Sequence, residues 1–191
     1  MPDGSVQLSP PPWARRALEW WHKLEVNIAV TAFSLIAVIL IYDVLEREFI
    51  APLIRAFGFD ASWLTLYGSQ KIATYLLIIG AFTGIGVAAW TGAQLVPKVA
   101  FNAVPEAWNV QMNRLADVLT ALFLVGAAYY GWVFVQGSYD LGLKSSGALS
   151  VQIWPVQAAV PLGFASAALR YLAFAVWPSV RPGEKDGSAL E

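Results

Sequence analysis

The sequence contains no cysteine and a single histidine, His22. The first absence excludes iron–sulfur clusters, thiolate zinc and disulfides, although it says nothing about redox compartment. The second excludes a bis-histidine haem, and His22, set among basic and aromatic residues, reads as an ordinary solvated histidine. Charge is scarce as well: 13% of the 191 residues are charged, where a soluble domain carries about a quarter. Twelve Lys+Arg against 13 Asp+Glu leave no basic surplus to neutralise a phosphate backbone, which argues against nucleic acid as a partner. Gly84, Gly86 and Ala89 resemble a dinucleotide fingerprint only by chance, since no strand precedes them. No catalytic, cofactor-binding or metal-binding residue emerges, and the chain does not read as an enzyme.

What is present is apolar: 58% of the residues are hydrophobic, and the charges cluster between long empty intervals. No charge falls between Glu25 and Asp43, Lys71 and Lys98, Asp117 and Asp140, or Lys144 and Arg170. About 20 apolar residues cross a hydrocarbon core of roughly 30 Å, so each interval fits one pass. Alternating strand patterns are absent and backbone groups in lipid must pair internally, so the passes are helices. The fold class is therefore an all-α integral membrane protein. One membrane domain covers 1–191, with transmembrane helices at about 25–45, 72–96, 116–138 and 151–177 and flexible tails at 1–12 and 179–191.

Trp13, Ala17, Trp20, Trp21 and Leu24 recur at helical spacing after Pro10, Pro11 and Pro12. They predict an interfacial amphipathic helix over 13–24, and the same residues are equally compatible with a helix that continues into the first span. The first span is too long for a signal-peptide core and lacks a small-residue cleavage site, so it is retained. Most of the nine tryptophans flank the spans, as indole prefers the headgroup level; Trp20, Trp21, Trp63, Trp154 and Trp177 are the expected interfacial anchors. With the N-terminus inside, eight Lys/Arg lie on the cytoplasmic side and four outside, which places both termini in the cytoplasm. Phe49, Ile50, Leu53, Ile54 and Phe57 form one apolar face, so the first external loop is expected to rest on the membrane.

Small residues mark helix contacts. Gly80, Gly84, Ala88 and Gly92 recur every fourth residue in the second span, and Ala159, Gly163 and Ala167 repeat the pattern in the fourth, beside a kinking Pro161. These eight are the candidate packing or partner contacts. Ionisable residues at mid-membrane are not apparent: Asp43 and Asp117 sit at expected helix ends, and Arg170 is expected to snorkel to the surface. A chain lacking such groups is a poor transporter alone. A membrane anchor for a redox enzyme and a small homodimeric exporter are the alternative readings.

Over about Leu24 to Trp177 the chain resembles the small permease subunit of TRAP transporters, the tripartite ATP-independent periplasmic, DctQ-like type. The resemblance is carried by Val44, Leu45, Glu46 and Arg47 at the end of the first span, and by Gly68, Ser69 and Ile72 through Leu77 opening the second. Gly92, Ala93, Gln94 and Leu95 stand at its close, and Ala148, Leu149, Trp154, Val160-Pro161-Leu162-Gly163-Phe164, Leu169 and Arg170 in the last. Gln70 and Lys71 replace the family's acidic pair, Gln94 its histidine, and Gln152 a common proline, which marks a divergent member. The resemblance implies four helices in a bacterial inner membrane, a large multipass permease partner holding the ion and substrate sites, and a periplasmic substrate-binding protein. It implies uptake of organic anions such as carboxylates, driven by an ion gradient. Arg47, Arg55, Asp60, Lys71, Asp140 and Lys144 are then candidates for docking the binding protein.

Overall fold

The computed structural model describes residues 10–92, 109–146 and 150–180. The expected end of the second span beyond Gly92, with Gln94 and Lys98, lies outside the described residues, as do Trp108, Ala148, Leu149, and residues 1–9 and 181–191 of the expected tails. The described chain is all-helical and carries four helices long and apolar enough to cross a membrane.

Helix α1 spans Pro12–Leu45. Pro12 sits at its first turn, where a missing N–H costs nothing and φ is already helical. No glycine or proline follows until Pro52, so the helix runs unbroken, passes through a π-helical turn at Glu46–Ile50 and continues as α2, Ala51–Ala56. A separate interfacial helix over 13–24 is therefore not shown; those residues are the first turns of α1. Phe49, Leu53 and Phe57 lie uncovered along the extension.

Helix α3, Ser69–Thr91, is bracketed by Gly68 and Gly92, both left-handed (φ 85° and 67°). Only glycine takes that conformation without a Cβ penalty, so the two residues set where the helix starts and stops. Helix α4 covers Asn109–Asp140. The last pass is α5, Trp154–Gln157, and α6, Ala159–Val176, parted at Ala158. This break puts Pro161 in the first turn of α6 instead of mid-helix; the carbonyl its ring leaves unbonded is that of Gln157, where the break falls.

The passes alternate in direction. α1 packs on α3, α3 on α6, and α6 on α4. A core of Ala89, Ala121, Leu124, Ala167, Ala168, Tyr171 and Phe174 joins α3, α4 and α6, with Val180 beyond. At the opposite end, Asp43 accepts from Ser69 (2.5 Å), Tyr42 donates to the Leu64 carbonyl (2.9 Å), and Glu46 accepts from Thr65 (3.3 Å). The α4–α5 connection folds back on itself through an antiparallel bridge between Lys144 and Gln152. Lys71 of α3 donates to the Ser146 carbonyl of that connection.

Candidate functional site

The most structured polar feature is a buried cluster where α1, α3 and α6 meet. Each helix contributes a pair of residues four apart, which share one helix face. On α1 these are Trp21 and Glu25, on α3 Gly86 and Trp90, and on α6 Ser166 and Arg170. Arg170 is wholly buried and Glu25 nearly so (0% and 5% exposed). Arg170 Nη2 meets Glu25 Oε2 at 2.5 Å, and Nη1 donates to the Gly86 carbonyl. Glu25 Oε1 accepts from Trp21 Nε1 (3.0 Å) and from the Ser166 hydroxyl, and Ser166 Oγ also accepts from Trp21 Nε1 (2.8 Å).

Gly86 makes this arrangement possible. A Cβ there would lie 2.5 Å and 2.7 Å from the two Glu25 carboxylate oxygens. Below, the Trp90 ring stacks on His22 (centroids 5.6 Å apart, 27° between planes) and lies 5.7 Å from the Arg170 guanidinium carbon. Phe174, one turn beyond Arg170, packs on Trp90 and Tyr171. Among the described residues, Arg170 Nε and His22 Nδ1 are buried without a hydrogen-bond partner.

Three expectations are corrected. Arg170 does not snorkel; it turns inward because a carboxylate and a carbonyl await it about 9 Å, six residues, from the end of α6. His22 is not set freely in solvent but is half-buried and stacks on Trp90, and beside it Trp21, with part of its ring exposed, aims its N–H into the cluster. Asp117 is not in a first turn: α4 begins at Asn109, and Asp117 is buried about two turns in. Sequence spacing did contain a signal for the cluster, in the pairs Trp21/Glu25 and Ser166/Arg170, but not their mutual contact.

The candidate packing residues are dispersed. Gly80 packs on Ala32 and Phe33 of α1, with 3.3 Å to a built Cβ. Gly84 faces open space, Ala88 is half-buried, and Gly92 caps α3. In α6, Gly163 abuts the Phe82 backbone carbonyl, Pro161 is buried against Gly131, Ala167 is in the core, and Ala159 is half-buried. Trp20 and Trp63 are exposed; Trp154 donates to Gln152 Oε1 (2.8 Å) and meets Tyr139 edge-on, and Trp177 packs against the core.

The candidate docking residues gather at the end opposite the cluster. Arg47 pairs with Glu48 at 3.3 Å, both largely exposed, while Arg55, Asp140 and Lys144 are exposed and Lys71 is half-buried. Asp60 accepts the Ser62 hydroxyl (2.6 Å) and backbone N–H (3.0 Å), and these bonds hold its carboxyl below the ordinary carboxylate range.

Chemically, the Glu25 carboxylate is saturated by donors, and the described residues hold no group of three or more His, Cys, Asp or Glu side chains suited to a metal. The cluster ties helices together. Residues 36–178 match the family model described as tripartite ATP-independent periplasmic transporters, DctQ component. The ectoine TRAP transporter small permease protein TeaB of Halomonas elongata is 28% identical over 112 residues, or 59% of this chain. The match spans 58% of that relative's length.

Proposed function

Because the chain belongs to the DctQ component family of tripartite ATP-independent periplasmic (TRAP) transporters, we propose that it is the small membrane subunit that scaffolds a large multipass permease. It helps to dock a periplasmic substrate-binding protein for ion-gradient-driven uptake of organic anions such as carboxylates. The match over 36–178 carries this reading. The bundle supports it, since the described polar cluster is a closed lock and not a path for a solute. The membrane is the bacterial inner membrane, and both termini lie in the cytoplasm, following the Lys/Arg distribution. The named relative is an ectoine system; here cargo choice belongs to the other two components.

The test is co-expression at native level with the large permease, followed by uptake in proteoliposomes supplied with the binding protein. A stable two-component membrane complex is expected, with flux that requires both chains. Flux from the small chain alone, or purification without any larger membrane protein, would refute the reading. A cysteine introduced at Ser5 should be labelled only from the cytoplasmic side.

A further inference from the structure

The outer side of α1 carries polar groups in the wrong place for lipid. Asn27, Thr31 and Ser34 follow one another at helical spacing, within a sector of about 60° at 100° per residue. All three are exposed, and none makes a side-chain hydrogen bond among the described residues. The contrast with α3 is direct: Thr74, Thr83 and Thr91 each bond the carbonyl four residues back, which satisfies a hydroxyl without outside help. Asn27 has no such outlet, because its amide carries two donors and an acceptor.

The stripe also lies deep. Asn27 and Thr31 form one wall of a groove between α1 and α3, floored by Ala32 and completed by Leu35, Leu76 and Ile79. Leu76 and Ile79 are the eighth and eleventh residues of the 23-residue α3, so the groove is level with the helix middle, within about 6 Å. There an amide facing acyl chains has no partner, whereas a neighbouring helix can supply one. α1 is otherwise little covered: 6% of its most apolar window is buried, against 44% for the last pass.

We propose that the groove along Asn27 and Thr31 receives a transmembrane helix of the large permease, whose side chains or backbone hydrogen-bond to these two residues. The inference rests on the reading above. A lipid tail fits the apolar floor but leaves the amide unpaired. Two copies of this chain would also pair such stripes with each other, and it is the proposed role in a tripartite system that favours the large permease as the occupant.

The experiment uses the full transporter with a benzophenone amino acid at position 27 or 31, and at Leu119 on the exposed side of α4 as the control. Irradiation is expected to join positions 27 and 31, but not 119, to the large permease. Adducts at 27 of twice the subunit mass, or none at 27 and 31 while the complex still co-purifies, would overturn the inference but leave the subunit reading intact. Failure of the large permease to co-purify with the unaltered chain would overturn both. Independently, the double variant N27L/T31V should lower recovered permease at least fivefold at unchanged membrane levels of the small chain. Unchanged recovery would overturn the proposal.

Discussion

Glu25 and Arg170 show why a buried ion pair is held by geometry more than by attraction. Removing two charges from water costs several kcal/mol per ion, and only close approach with further hydrogen bonds offsets this. Here Trp21, Ser166 and the Gly86 carbonyl provide those bonds. Deleting one partner leaves the other buried and uncompensated, a loss of about 3–5 kcal/mol. E25L and R170L should therefore each lower the melting temperature of the detergent-solubilised subunit strongly. The double apolar variant E25L/R170L should lose less than the sum of the two single losses, and a full sum would refute coupling. The cluster escaped the sequence for a physical reason. Its charges lie 145 positions apart, and each borders a charge-free interval, where a residue at a membrane surface and one buried between helices look the same. The histidine misled in the same way, since an aromatic near a span end serves as belt or as packing.

Helices meet closely where a Cβ is missing against a neighbour, and three of the glycines inside α3 and α6 differ in this respect. At Gly163 a Cβ would strike the Phe82 carbonyl group, and backbone cannot swing aside. At Gly86 it would strike the Glu25 carboxylate, which is pinned by its donors. At Gly84 it would meet nothing. Gly163→Ala and Gly86→Ala should destabilise the isolated subunit by roughly 1–3 kcal/mol, the range for overpacking. Gly84→Ala should be neutral or stabilise by up to about 1 kcal/mol, because alanine is the better helix former. Thermal melts of the three variants decide the order, and a destabilising Gly84→Ala would refute it. The number and type of helices were readable because charge-free stretches of membrane length have one solution in lipid. The small-residue repeat was readable as close packing, but which glycine faces which helix depends on rotation about the helix axis, which spacing alone leaves open. The break at Ala158 and the continuity of α1 likewise depend on context that a lone proline or a tryptophan-rich opening does not encode.

At the scale of the whole molecule, the bundle has two unlike ends. One is locked by the Glu25–Arg170 cluster and the aromatic core; the other is stitched by connections and helix ends that bear the exposed charges Arg55, Asp140 and Lys144. Arg55 and Lys144 are exposed and make no salt bridge among the described residues, although Arg55 acts on Asp60 at longer range, whereas Arg47 is engaged by Glu48; on the proposed docking role these two are the better placed to meet an acidic patch. Exposed pairs are worth about 0.2–1 kcal/mol each, so on the proposed docking role, reversing both charges should weaken binding-protein docking by about two- to thirtyfold. In R55E/K144E, uptake at limiting binding protein should fall by that factor at physiological salt, with recovery of the large permease unchanged. The deficit should disappear near 1 M salt, where screening acts over about 3 Å. Uptake that matches the unaltered subunit at low salt would remove these residues from the docking surface. A deficit that persists at high salt would show that the charges act through the fold of the loops.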